Sequence, residues 1–256
     1  MKKALFSATL VAIAASASLC ARAETCGQLD KLGVNYDALK ATLSAVVPPN
    51  SPSTTPSGGL GFPMWLTLVD GSGIVCAVVN SLAAGQSVTH DIWLGSRVIS
   101  AQKANTANAF STGALALSTA NLYSAVQPGG SLFGLQHSNP VDAVIAYQGD
   151  AKMFGSRSDP LVGERIGGVN VFGGGLALYK GRIKIGAIGV SGDTSCTDHV
   201  TAWKVRDALG LGGVPGGVSS NGTDQLIVGV GGFAHPSCHG VGADVTQANS
   251  DNSTQF

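Results

Sequence analysis

Met64 to Val69 and Ile74 to Val79 are runs of apolar β-formers on either side of Asp70-Gly71-Ser72-Gly73. That pattern predicts a β-hairpin, and because both arms are apolar on both faces, the sheet it joins is covered twice. Further on, Val169 to Phe172, Leu176 to Tyr179 and Ile183 to Val190 read as strands, the last two joined by a turn at Lys180-Gly181. Helical spacing appears elsewhere. Tyr36, Leu39, Leu43 and Val47 repeat on one face behind a capping Asn35, and Pro48-Pro49 stops that helix. From Ser96 to Ser111 a helix capped by Ser96 carries Val98, Ile99, Ala101, Ala104, Ala107 and Phe110, and its small residues allow close approach to a neighbour.

Shorter helices are expected behind Ser118, with Leu122, Tyr123 and Val126, and from Asn139-Pro140, where proline suits a first turn. His137 then falls on a loop before that helix. The last clear helix runs from Ser195 to Leu209, capped by Asp193 or Thr194 and closed by Gly210. Beyond Leu211 the chain is Gly-rich and polar, a tail fastened only at Cys238. Helix, hairpin, helices, strands and helix in this order describe an α+β fold, an antiparallel sheet with helices packed against it.

The first residues belong to another pattern. Lys2 and Lys3, an apolar run from Ala4 to Leu19 and Ala21-Arg22-Ala23 are the three parts of a secretory signal peptide, with cleavage after Ala23. The run is shorter than the roughly 20 residues of a membrane span, and no later segment is longer, so membrane insertion is not expected. Cys20 lacks the leucine three places before it that a lipoprotein signal carries. Cleavage removes Lys2, Lys3 and Arg22 and leaves 12 basic against 15 acidic residues, a net of −3. No basic stripe remains, which makes nucleic acid and anionic lipid poor partners. Charged residues are 12% of the chain, about half the usual share, so the body has the composition to bury a sizeable core.

Cys26, Cys76, Cys196 and Cys238 remain after processing. An even number in an exported chain favours two disulfides, for which three connectivities exist. Cys26–Cys76 and Cys196–Cys238, each tying a terminal arm to the body, are the pairs expected here. Zinc is the competing use of four cysteines, but no C-x-x-C pair is present.

Gly167-Gly168 and Gly173-Gly174-Gly175 lead into strands rather than a helix, so tight turns explain them better than a phosphate loop. No G-x-S-x-G, H-E-x-x-H or Ca²⁺-loop motif occurs, and a hydrolase or metalloprotease finds no support. Gly192, Asp193 and Thr194 stand where a strand feeds a helix N-terminus, a place whose free N–H groups and dipole hold a carboxylate or phosphate, unless the side chains there satisfy those donors themselves. His199, Trp203 and Arg206 share one helix face at i, i+4 and i+7. Imidazole, aromatic ring and guanidinium suit a flat anionic ligand such as a porphyrin. The plain structural alternative has Trp203 in the core, His199 on a backbone group and Arg206 in solvent. His235-Pro236-Ser237-Cys238-His239 gathers metal-ligand types, though a disulfide at Cys238 removes its thiolate.

Met64-Trp65-Leu66-Thr67-Leu68-Val69-Asp70-Gly71-Ser72-Gly73 resembles the first hairpin of the GlcG/HbpS family of heme-binding proteins. Ser100-Ala101-Gln102-Lys103-Ala104-Asn105-Thr106-Ala107 resembles its A-x-x-K-A-x-T-A helix. Gly174 to Tyr179 and Ile185-Gly186-Ala187-Ile188-Gly189-Val190-Ser191-Gly192 resemble two of its strands. The resemblance covers about residues 63–210. Departures are Ala177 where the family often has proline, a long insertion from about Ser111 to Gly168, and the two cysteine pairs.

The resemblance implies a profilin-like α+β fold, homo-oligomerisation and heme as the ligand. Lys103 and Thr106 match the family helix and become pocket residues. Arg97, His137 and His199 are added on their own chemistry: a porphyrin clasped between the small-residue helix and the sheet, propionates on Arg97 or Lys103, and His137 or His199 on iron. The chain then divides into a signal peptide (1–23), an N-terminal helix and Pro/Ser-rich loop (24–62), the GlcG/HbpS-like domain (63–210) and a tethered tail (211–256). The expected protein is periplasmic or secreted. Two other classes stay open: an enzyme or accessory protein taking a small organic acid at Gly192–Thr194, and a structural oligomeric module without ligand.

Overall fold

The computed structural model describes residues 25–47 and 59–238, so the expected signal peptide and His239 lie outside the described residues. Its centre is a four-stranded antiparallel sheet. Strands β1 (Trp65–Asp70), β2 (Val75–Asn80), β3 (Gly175–Lys180) and β4 (Ile183–Ser191) lie in the order β2-β1-β4-β3. The hairpin β1–β2 turns at Asp70, whose Oδ1 accepts from the N–H groups of Ser72 and Ile74 and from the Ser72 hydroxyl. β1 then pairs with β4 from Trp65↔Ser191 to Asp70↔Gly186, which brings the two halves of the sequence together.

Helices cover both faces. α1 (Cys26–Lys31), α2 (Tyr36–Val46) and α7 (Ser195–Ala208) share one core with Leu66, Leu68, Ala77, Val79, Leu176, Leu178, Ile188 and Val190. On the other face α3 (Gly95–Phe110) buries Val98, Ala101, Ala104 and Ala107 against Trp65, Val69, Val78 and Ala187. Alternation along each strand sends successive side chains to opposite layers, and that is why the strands are apolar at nearly every position. α3 packs almost directly on β4: a Cβ on Gly189 would lie 2.0 Å from the Ser100 carbonyl oxygen and 2.4 Å from the Ala104 nitrogen. Thr67 Oγ1 and Ser100 Oγ, 2.7 Å apart, satisfy each other in this layer.

Several local expectations are corrected. The N-terminal arm contains a helical turn of its own, α1, fixed by the Cys26–Cys76 disulfide. Ser96 does not cap α3; it is buried inside the helix, which starts at Gly95 after Leu94. Asn35 caps α2 through the Ala38 N–H, and Thr194 caps α7 through the Thr197 N–H. Val169 to Phe172 is not a strand, because Asn105 and Thr106 take its backbone: Asn105 Nδ2 donates to the Gly168 carbonyl and Thr106 Oγ1 accepts from the Asn170 N–H. In the insertion, a 3₁₀ turn (Thr119–Leu122) behind Ser118 runs into α4 (Tyr123–Val126). α5 (Leu135–Ser138) and α6 (Ala143–Tyr147) follow. No helix starts at Asn139-Pro140: α6 waits for Asp142, whose carboxylate caps Val144 and Ile145, and His137 lies within α5 rather than on a loop.

The segment after Leu211 is more than a tethered tail. Leu226 and Ala234 are buried, and Asn121 and Ser124 donate to the carbonyls of Gln225 and Ala234. The outer margin of β3 is closed by other parts of the chain: Thr119 Oγ1 accepts from the Gly175 N–H, Arg206 donates to the Ala177 carbonyl and the Leu211 carbonyl accepts from the Tyr179 N–H.

Candidate functional site

The polar groups of the body converge around the first turns of α7. Asp198 sits in the first turn of that helix and points inward to Lys103 of α3, Nζ to Oδ2 2.7 Å, with both side chains buried. Lys103 also donates to the Val190 carbonyl. Burial pushes the Asp198 carboxyl up to about 6, opposed by Lys103 and by the Asp193 N–H. Its glycine neighbours make the contact possible: a side chain on Gly174 would meet the Val190 oxygen at 2.4 Å and Lys103 Nζ at 3.1 Å.

His199 follows, fully buried, and both its ring nitrogens lack a hydrogen-bond partner among the described residues. Burial first, then the charges of Arg206, His235 and Lys103, hold it well below the ordinary histidine range, so it is neutral. Its ring stacks on Trp203, centroids 6.1 Å apart, and the Arg206 guanidinium lies 4.7 Å over the Trp203 ring. The helix face expected at i, i+4 and i+7 exists, but it faces inward. Arg206 is neither solvated nor open to a ligand; it is paired inside the protein with Asp224.

His235 closes the cluster from the tail. Its Nδ1 is 2.7 Å from the Pro236 carbonyl, which can only accept, and its Nε2 is 3.3 Å from the Gly173 N–H, which can only donate. Those two neighbours select the tautomer with the proton on Nδ1. Burial lowers the His235 pKa to about 4, with the Pro236 carbonyl opposing. Tyr123 stands beside it, ring centroids 5.2 Å apart. Cys196 and Cys238 form a disulfide next to His235, and a ring nitrogen of His235 and the two sulfurs lie within 4.8 Å of one another. Cys26, Asp70 and Cys76 make a second such group.

The anion site expected at Gly192, Asp193 and Thr194 is filled by the chain itself. The Asp193 carboxylate accepts from the N–H groups of Leu60, Gly61, Phe62 and Thr194, and Asp198 Oδ1 accepts from the Asp193 N–H. The Thr197 N–H goes to Thr194 Oγ1 and the Cys196 N–H to Cys238 Sγ, so these donors of the helix start are engaged by the chain's own groups.

The remaining expected residues are dispersed. Arg97 is buried in a doubly hydrogen-bonded pair with Asp159, with Nε to Oδ2 2.9 Å, and stacks on Phe154. Thr106 Oγ1 donates to the Gln102 carbonyl and supports Asn170. Neither Arg97 nor Lys103 is available to a propionate, and α3 lies against the sheet with no gap at Gly189. His137 alone of the five is exposed. With Val126, Gln127, Pro128, Phe133, Gly134 and Gln136 it lines a hollow of about 180 Å³.

Asp159 and Asp224 lie in loops whose sequence carries no signal of their role, and the cluster around His199 includes His235, which the sequence presents only among metal-ligand types. The His-Pro-Ser-Cys spacing was the available clue to His235.

Comparison with known proteins adds a family. The model described as "Haem degrading protein HbpS-like" matches residues 59–206. No curated protein matches the chain. Among solved structures, a PduOC–heme complex is similar at 22% identity over 70% of this chain and 94% of that one, with a TM-score of 0.46. Klebsiella pneumoniae protein ORFY, of the family DUF336, is similar at 19% identity over 81% and 98%, with a TM-score of 0.44.

Proposed function

The chain belongs to the HbpS-like family of heme-degrading proteins, and from that premise we propose that it is an exported protein that binds heme or a related tetrapyrrole. The family match carries this reading. The chain's own residues test where such a ligand fits. The layer between α3 and the sheet does not fit it, because Lys103 and Arg97 are committed to buried carboxylates and the helix rests on the strand backbone. The hollow at α5 is the candidate we favour, because an exposed imidazole, His137, stands beside Val126 and the exposed ring of Phe133.

A bound heme would supply a redox-active iron. His137 would offer it a nitrogen, and Phe133 and Val126 would offer apolar contact. At about 180 Å³ the hollow is smaller than the roughly 300 Å³ or more of enclosing ligand pockets, so it seats part of a macrocycle and leaves the rest outside. Phe133, Val144 and Tyr147 are exposed apolar residues of the insertion and support association of copies.

Two disulfides support export to an oxidising compartment. Sequencing the mature protein from cell envelope or medium should give Glu24 as its first residue. Hemin titrated into the purified mature chain should develop a Soret band that saturates at one equivalent; a flat titration overturns the proposal.

A further inference from the structure

We propose that Cys196, Cys238 and His235 form a zinc site when the disulfide between the two cysteines is reduced. The three ligand atoms already lie within 4.8 Å of one another. A tetrahedral site with Zn–S near 2.3 Å places its ligand atoms about 3.5–3.8 Å apart, so the sulfurs separate as their bond breaks and the imidazole already stands within about an ångström of its place. Cys196 and His235 are buried and Cys238 is partly buried.

Two further observations point to a metal rather than to a bare dithiol. The first is the imidazole. Its Nδ1 proton is held by the Pro236 carbonyl, so its lone pair is on Nε2. A backbone carbonyl on the far nitrogen is the outer partner that zinc-bound histidines ordinarily have. Among the described residues, the hydrogen-bond donor at that nitrogen is the Gly173 N–H, at a long 3.3 Å. The second is the setting of Cys238. Its sulfur accepts from the Cys196 N–H at 3.1 Å, in the first turn of the 14-residue helix α7, and lies 3.5 Å from the Ser195 hydroxyl. Helix N-terminal donors favour the thiolate, which is the form that binds a metal.

The chemistry balances with a dithiol as reductant. Two electrons and two protons pass to the Cys196–Cys238 bond, leaving two thiols, while the dithiol closes to its own disulfide. Zn²⁺ then takes both sulfurs as thiolates, their two protons go to solvent, and His235 Nε2 donates its lone pair. Water fills the fourth position, as in sites with three protein ligands.

The proposal is tested on the full mature chain with Co²⁺ as probe, because cobalt–thiolate charge transfer reports sulfur ligation directly. The wild-type chain and a C26S/C76S variant, which lacks the other disulfide and its neighbouring Asp70 group, are reduced with a phosphine and titrated under argon. One equivalent of Co²⁺ should give thiolate charge-transfer bands in both, Zn²⁺ should bleach them, and the oxidised chains should give none. His235→Ala should weaken Co²⁺ binding about tenfold or more, while the same bands should be absent from C196S/C238S. Reduced protein that keeps its near-ultraviolet circular dichroism without the bands overturns the proposal, as do bands that survive in C196S/C238S. Loss of that dichroism on reduction in both backgrounds overturns it too, because the site needs the folded cluster. None of these readouts involves heme.

Discussion

Arg206 and Asp224 bind each other through two hydrogen bonds, Nη1 to Oδ2 at 2.8 Å and Nη2 to Oδ1 at 2.7 Å, with neither side chain exposed. The fork matches the carboxylate and leaves its remaining reach to the Ala177 carbonyl. This pair joins α7, the sheet margin and the segment after Leu211.

Removing one partner strands a buried charge. Asp224→Asn should therefore cost about 3–5 kcal/mol, read as a lower urea midpoint at unchanged slope. The double variant R206M/D224L should recover most of that loss. A cost below about 1 kcal/mol for Asp224→Asn would show that the ion pair is not what holds Arg206 in the interior.

Gly189 is where α3 meets β4 most closely. Gly189→Ala sets a methyl group against the Ser100 and Ala104 backbone, atoms that no rotamer change can move. About 3 kcal/mol of stability should be lost, with Thr67→Ser, in the same layer, costing far less. Equal midpoints for Gly189→Ala and the wild type would contradict the packing described.

The two histidines expected on iron should separate in opposite ways. His137→Ala should lower hemin affinity about tenfold or more with little change in melting temperature, since the residue is exposed. His199→Leu fills a similar volume and removes two buried nitrogens that have no hydrogen-bond partner among the described residues. It should leave hemin binding intact and keep or raise stability by about 1 kcal/mol. Hemin binding lost with His199→Leu and kept with His137→Ala would move the site to the interior.

Acid should loosen the protein before its carboxylates are exhausted. His235 falls to about 4 in the fold and His199 lies well below its ordinary value. As pH drops from about 6.5 towards 4 the unfolded chain takes up protons at both positions and the native chain does not, so stability falls with pH. Asp198 acts oppositely: raised to about 6, it binds a proton in the native state first and restores part of the loss. Two histidines outweigh one carboxyl, so the net between pH 7 and pH 4 should be a loss. Urea midpoints that rise on acidification would refute it.

The fold was legible because its strands are apolar on both faces and its helices are stopped by proline and glycine. Asn35, Asp70 and Thr194 act locally, and local chemistry can be read from neighbours in sequence. Arg97 and Lys103 misled for the opposite reason. Cations on a helix that faces a sheet suggest an anionic guest, yet their partners, Asp159 and Asp198, come from 62 and 95 residues away. Nothing local announces such a pairing. Val169 to Phe172 reads as a strand by composition, but the amide and hydroxyl side chains of α3 took its hydrogen bonds.

The closure of β3 at Gly175, Ala177 and Tyr179 restricts how copies of this protein can meet. A sheet margin whose amides and carbonyls are already engaged cannot recruit a strand from another molecule, so ordered growth by strand addition is blocked on that side. Any assembly there must be built from side chains on loops and helices, and it can be dissolved by altering those side chains without touching the sheet.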